Sequence, residues 1–257
     1  MGKPKTALSI AGSDSGGCSG IQADLRTFAR FGVHGASAIT CITAQNTRGV
    51  QKVVPLLPAT VTGQIESVLS DIGCDAAKTG MLGTGEIIRA VARCLRKWKV
   101  RNLVVDPVMV STSGVELLQR SAISTLCEKL IPLARLVTPN LLEAERILKQ
   151  PVRSISDMES AAKRLYDWTG CAVLIKGGHL DDKPTDVLYA GTRCVRFTCA
   201  RVRTRNTRGS GCSLSAAIAA NLARHVGLED AIAKAKDYVT EALRKSYRIG
   251  AGPGRLG

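Results

Sequence analysis

Short apolar runs alternate with longer amphipathic stretches along almost the whole chain. TALSIAG, ASAITCITAQ, CDAAKTGM, NLVVDPVMV, ARLVTPN, CAVLIKGG, DVLYAG and CVRFTCARV have strand length, and several are apolar at successive positions, as strands covered on both faces are. Between most of them the apolar positions recur at helical spacing, in GIQADLRTFARFG, ATVTGQIESVLSDIG, TGEIIRAVARCLRKW, RSAISTLCEKLIP, LLEAERILKQ and SDMESAAKRLYDWTG. The last strand leads into SGCSLSAAIAANLARHV and LEDAIAKAKDYVTEALRKSY. Such βαβ repetition predicts an α/β fold of three layers, a central, mostly parallel sheet with helices on both faces. DVLYAGTRCVRF, turning at AGT, is the expected antiparallel exception. No Pro, Gly or Ser-rich linker and no internal repeat interrupts residues 1–257, which predicts one domain. The tail GAGPGRLG is too glycine-rich for regular structure, so residues 250–257 are expected to be irregular and frayed.

Composition narrows the class. With 45% hydrophobic and 22% charged residues the chain has a core to bury and is not of the disordered type. No apolar run approaches the roughly 18 residues of a membrane span, and MGKPKTALSIAG lacks the apolar segment of a signal peptide. A cytoplasmic protein with no membrane partner is expected. The nine cysteines form no C-x-x-C pair, which argues against both a zinc site and a disulfide framework and leaves reduced, mostly buried thiols. A net charge of +15 raises the question of nucleic acid. The basic residues are mostly spread over helix faces, however, and aromatics that would stack bases are only 4% of the chain, so no specific nucleic-acid partner is expected. The one local cluster is Arg201, Arg203, Arg205 and Arg208, immediately before a glycine turn. A nucleotide suits it.

In an open parallel sheet, ligands bind at the carboxyl ends of the strands. There the chain is polar or glycine-rich: GSDSGGCSG, QNTRG, GMLGTG, DPVM, TPNLLEAE, KGGH and NTRGSGCS. No G-x-x-x-x-G-K-[ST] and no strand-following G-x-G-x-x-G is present, so neither a P-loop nor an ordinary dinucleotide site is supported. The last stretch opens a helix, whose unpaired N–H groups and positive dipole end make an anion site. Gly209 and Gly211 let an anion approach the backbone, and Cys212 held in that field is expected to ionise more easily than an ordinary thiol. On these residues alone, an ordinary turn followed by a small core cysteine fits equally well.

Taken in order, GSDSGGCSGIQADLRTF, AITCITAQNTRGV, KTGML, DPVMVSTSG, TPNLLEAE, KGGHL and NTRGSGCSLSAAIA resemble the hydroxymethylpyrimidine and hydroxymethylpyrimidine-phosphate kinases of thiamine biosynthesis, within the ribokinase-like superfamily. The resemblance runs from about Leu8 to about Ala220. It implies a ribokinase-like fold and ATP- and Mg²⁺-dependent phosphorylation of 4-amino-5-hydroxymethyl-2-methylpyrimidine and then of its monophosphate. By resemblance, the N–H groups of Gly209, Ser210, Gly211 and Cys212 form the anion hole and the Cys212 thiolate is the base. Asp24 and Gln45 belong beside the pyrimidine, with Gly12, Met81 and Val108 as walls. Asn140, Lys176, Thr207 and Arg208 are assigned to ATP and its phosphates, and Glu143 and Asp106 to the metal, through water. On the residues alone, Gln45 also reads as turn chemistry, Asp24 as an exposed helix carboxylate, and Asn140 with Glu143 as a capping box. Three motifs depart from the family. Arg208 and Ser210 stand where NTHGTGC has His and Thr, Cys18 where alanine is common, and Thr112 where many bacterial members carry lysine. A pyridoxal or pyridoxine kinase on the same site is the nearest alternative, and a basic nucleic-acid-binding protein with vestigial motifs the alternative of another class. A homodimer is the expected assembly.

Overall fold

The apolar runs assemble into one nine-stranded sheet. The structure, a computed structural model, describes residues 3–111, 113–178 and 183–257, so Thr112 and His179 lie outside the described residues. The strands are β1 (Thr6–Asp14), β2 (His34–Asn46), β3 (Gly49–Pro55), β4 (Ala76–Thr79), β5 (Leu103–Val105), β6 (Leu136–Val137), β7 (Ala172–Ile175), β8 (Thr185–Tyr189) and β9 (Cys194–Thr198). Their order across the sheet is β3-β2-β1-β4-β5-β6-β7-β8-β9. The interior from β2 to β7 is parallel, as the continuous apolar runs predict. The antiparallel part is larger than the single DVLYAGTRCVRF hairpin: β8 also runs antiparallel to β7, and β3 antiparallel to β2. β3 (GVQKVVP) has no counterpart among the expected strands. Four of its seven positions are exposed, Gln51 and Lys52 among them, because it is an edge strand with little to cover it.

The helices are α1 (Gly20–Arg30), α2 (Pro58–Asp71), α3 (Gly85–Lys97), α4 (Ala122–Thr125), α5 (Leu141–Leu148), α6 (Ile155–Thr169), α7 (Ser210–Ala223) and α8 (Leu228–Arg244). The stretch RSAISTLCEKLIP is less regular than its periodicity predicts, since α4 gives way to a π turn over Leu126–Leu130 and a 3₁₀ turn over Ile131–Leu133. Alternation along the strands sorts the two cores. Leu8, Ile10, Leu103, Val105, Val173 and Ile175 face α2 to α6, whereas Ala7, Val104 and Leu174 face α1, α7 and α8. α7 is buried from Ser213 to Ala223 and carries alanines at five of those positions. A helix apolar all round belongs in an interior, and these small side chains let it lie close to the sheet. Its first turn is thereby held at the carboxyl ends of the central strands.

The glycine-rich tail is docked rather than frayed. Gly252 N–H donates to Thr47 Oγ1 at 3.2 Å, Gly254 N–H to Asn206 Oδ1 at 2.9 Å, and Tyr247 and Arg255 exchange backbone bonds at 3.2 Å. Among the described residues no helix is long and apolar enough to cross a membrane.

Candidate active site

A cavity of about 1040 Å³ opens at the carboxyl ends of the strands. It gathers Gly12, Gln45, Met81, Asp106, Val108, Asn140, Glu143, Lys176 and the whole run Thr207 to Cys212. Of the residues expected at the site only Asp24 does not line it.

One wall is built from the loops after β1 and β2. Asp14 organises the first: its Oδ1 accepts from Gly16 N–H at 2.9 Å, and its Oδ2 from the N–H groups of Cys18 (3.1 Å) and Ser19 (2.9 Å) and from the Ser19 hydroxyl (2.8 Å). Gly12 sits flat against Met81, where an added Cβ would stand 3.1 Å from the thioether sulfur. Gln45 is held by Thr43, whose hydroxyl donates to Oε1 at 3.2 Å, and by Ser19, whose Oγ accepts from Nε2 at 3.3 Å. Both bonds are long, so a ring nitrogen and an exocyclic amine can compete for the same amide.

The N-terminus of α7 faces this wall. Its N-cap, Gly209, adopts φ +81° and provides no side-chain cap. That conformation favours glycine, and an added Cβ would collide with the Cys18 carbonyl oxygen. The Ser210 N–H, expected to face the phosphoryl group, donates instead to the Thr207 carbonyl at 3.2 Å. The N–H groups of Gly209, Gly211 and Cys212 remain for an anion. α1 begins nearby, likewise without a side-chain cap at its N-terminus, and its Gly20 N–H points to the Cys212 sulfur. The thiol does not ionise easily, contrary to what the helix field alone predicts. Burial pushes it up to about 11; Lys78 opposes this, while the Asp24 and Asp106 carboxylates add to it. Removal from water outweighs the dipole here, so Cys212 rests as a thiol.

The opposite wall is ionic. Lys176 Nζ bonds Asp106 Oδ1 at 2.8 Å and lies 3.9 Å from Glu143 Oε2. Gly211 backs directly onto this group, an added Cβ standing 3.5 Å from Lys176 Nζ and 3.9 Å from Asp106 Oδ2. Asn140 and Glu143 do form a capping box: Glu143 N–H donates to Asn140 Oδ1 at 2.9 Å, and Asn140 N–H donates to Glu143 Oε2 at 2.8 Å. The cap holds the carboxylate at the cavity wall, a position compatible with the expected metal role. Burial pushes Glu143 up to about 7, with Lys176 opposing and Asp106 adding. Two carboxylates that repel each other across one ammonium, with open cavity beside them, fit a hard divalent cation shared with phosphate oxygens. Among the described residues no group of three His, Cys, Asp or Glu side chains could hold such an ion unaided.

Asp24 and Lys78 form a buried ion pair under the cavity floor. Lys78 Nζ bonds the two Asp24 oxygens at 3.0 and 2.8 Å, and the Ser9 hydroxyl donates to Asp24 Oδ2 at 2.6 Å. Asp24 is 0% exposed and touches no substrate space, whereas Lys78 reaches the cavity. Lys78 thus lines the cavity although the sequence reading did not single it out, and Asp24, expected beside the ring, is paired with it below the cavity. Burial would pull the ammonium down, but Asp24 holds it above the usual lysine range. Cys18 is buried next to Gly209, and burial pushes its thiol up.

The chain matches the family model described as phosphomethylpyrimidine kinase over residues 14–257. It is 48% identical to the hydroxymethylpyrimidine/phosphomethylpyrimidine kinase of Rhizobium meliloti (strain 1021) over 251 residues, 97% of this chain and 94% of that protein. It is 46% identical to the thiamine biosynthesis bifunctional protein ThiED of Geobacter sulfurreducens over 250 residues, which are 97% of this chain and 51% of that longer protein. Among solved structures, an ADP complex of Bacillus subtilis pyridoxal kinase superposes with a TM-score of 0.92 at 37% identity, covering 99% of this chain and 98% of the other.

Proposed function

The chain belongs to the phosphomethylpyrimidine kinase family, and on that premise we propose that its cavity phosphorylates 4-amino-5-hydroxymethyl-2-methylpyrimidine and then the monophosphate, with ATP as donor. The fold is ribokinase-like, and the product is the pyrophosphate used in thiamine biosynthesis. The observation that carries the reading is the convergence, in one cavity, of the free N–H groups of α7, the Cys212 thiol, the Lys176–Asp106–Glu143 group and a flat pocket walled by Gly12, Met81 and Val108.

Phosphoryl transfer asks the protein mainly for positioning and for charge where the transition state needs it. The ring lies between Gly12 and Met81, with Gln45 meeting its nitrogen edge, and the hydroxymethyl group points to Cys212. The N–H groups of Gly209, Gly211 and Cys212 receive the phosphoryl oxygens, and Lys176 supplies a fixed positive charge on the nucleotide side. Thr207 and Asn140 shape the phosphate path. Asp106 and Glu143 would hold Mg²⁺ through water, and when bound the ion neutralises phosphate charge. Cys212 accepts the alcohol proton from its minor thiolate form. The second transfer attacks through an ionised phosphate oxygen and needs that base less. The chain works in the cytoplasm as a homodimer, a reading supported by the exposed, cross-strand pair Ile42 and Val54 on the β2–β3 edge.

Pyridoxal phosphorylation is the second reading, favoured by the likeness to the Bacillus subtilis enzyme. Mass spectrometry of products after incubation with Mg-ATP and the pyrimidine alcohol, its monophosphate or pyridoxal decides between them. Stepwise formation of mono- and pyrophosphate is expected; pyridoxal phosphate alone would reassign the acceptor, and no phosphorylated product would end the kinase reading.

A further inference from the structure

Of the four arginines ahead of the glycine turn, Arg201, Arg203 and Arg205 are exposed and Arg208 alone is buried, at 5% exposure. It nevertheless has little to bind. Among the described residues its side chain makes one hydrogen bond, Nη1 to the Thr47 carbonyl at a long 3.4 Å, and no ion pair; its Nε is buried with no partner at all. Asp14, a carboxylate that acts on Cys18 together with Arg208, accepts from donors of its own loop and from none of the arginine's. Among the described residues Arg255 and Arg26, which share this neighbourhood, donate hydrogen bonds to backbone carbonyls, at Leu256 and Gly17, and Arg255 also lies over the Tyr247 ring. A permanent cation withdrawn from water with its donors idle is costly unless an anion completes it.

The direction in which Arg208 extends identifies that anion. Its side chain lines the cavity and reaches the turn between β2 and β3, two positions beyond Gln45. It therefore stands on the acceptor wall, across the anion hole from Lys176 and Asp106. The two acceptors of the proposed reaction differ there in one respect. The alcohol brings no charge, whereas the monophosphate brings a group of about −2, as any phosphate monoester near neutral pH, to the edge of a site that already holds the donor's phosphates. Like charges at that range repel strongly in a low-dielectric cavity. A guanidinium edge, planar and bidentate, matches a phosphate better than an ammonium would.

We propose that Arg208 binds the phosphate of the monophosphate acceptor through its Nε edge and so sets the preference of this enzyme for the second transfer over the first. The proposal rests on the kinase reading above. The test is steady-state kinetics of wild type, Arg208→Gln and Arg208→Lys with both acceptors at saturating Mg-ATP, alongside calorimetric binding of the monophosphate and of ADP. With Arg208→Gln, kcat/KM should fall about 10- to 100-fold further for the monophosphate than for the alcohol, chiefly through KM. Monophosphate binding should weaken in parallel and ADP binding much less. Arg208→Lys keeps the charge without the fork and should recover only part of the selectivity, which decides the matter even if the glutamine variant folds poorly. Equal losses for both acceptors, or a loss confined to ADP, would overturn the assignment. A wild type that phosphorylates neither acceptor would overturn the kinase reading itself.

Discussion

Cys212 combines two opposed demands in one side chain. The first turn of α7 and the Gly20 N–H offer its thiolate a place, yet burial holds the thiol up to about 11. Below that value the thiolate fraction grows about tenfold per pH unit, so first-step turnover should rise steadily between about pH 7 and 9. Cys212→Ala should lose roughly 10²- to 10⁴-fold in the first transfer, lose that pH slope, and lose less in the second transfer. A mutant within tenfold of wild type with an unchanged slope would remove the thiol from proton transfer. The Lys78–Asp24 pair makes a prediction of a different kind. Lys78→Met alone leaves a buried carboxylate without its cation and should cost about 3–5 kcal/mol in urea unfolding, whereas Lys78→Met with Asp24→Leu should restore much of the loss. Equal costs for the single and double variants would contradict this. At this scale Cys212 was legible because glycines flank it. Lys78 was not: AAKT reads as a plain buried strand, and its partner lies 54 positions away in a helix whose sequence reads as exposed.

Among the elements, nearly all were read from the hydrophobic pattern; β3 and the irregular stretch after α4 were not. β3 is exposed at four of its seven positions and α4 breaks into π and 3₁₀ turns, and neither leaves a period that a hydrophobic pattern can reveal. The tail was misjudged for a related reason. Its order comes from hydrogen bonds to Thr47, Asn206 and Tyr247, which glycine content cannot announce. The entry to α7 tests how strictly an element end is specified. Gly209→Ala places a methyl group on the Cys18 carbonyl and a side chain in the left-handed region. It should displace the first turn and cut both transfers by about 10²-fold or more, as loss of preorganised donors does. Near-normal kinetics would show that the hole tolerates a shifted turn.

For the molecule as a whole, buried thiols set an alkaline limit. Burial pushes Cys127 and Cys171 each up to about 12, from an ordinary value of 9.0. Between those values the unfolded chain gives up protons that the folded one keeps, so stability is complete below about pH 9 and falls as pH rises toward 12, by about 1.4 kcal/mol per unit for each thiol. Urea midpoints at increasing pH should decline more shallowly in Cys127→Ala/Cys171→Ala than in wild type; parallel curves would refute the account. The β2–β3 edge carries the assembly prediction. Ile42 and Val54 are each 43% exposed and opposite one another, so Ile42→Lys with Val54→Lys should halve the mass measured by light scattering, and an unaltered mass would place the contact elsewhere.

The meeting of Gly20 with Cys212 also dictates when the enzyme can become active. The two residues lie near opposite ends of the sequence, and β1, between β2 and β4 inside the sheet, is laid down first. Closing such distant contacts is entropically slow. A ribosome will therefore have emitted almost the entire sheet before α7 can seat its first turn against α1. Prematurely terminated chains ending before Gly209 lack the α7 and α8 side of the second core, so they should accumulate as incompletely folded, wholly inactive material, able to occupy chaperones without ever competing for substrate.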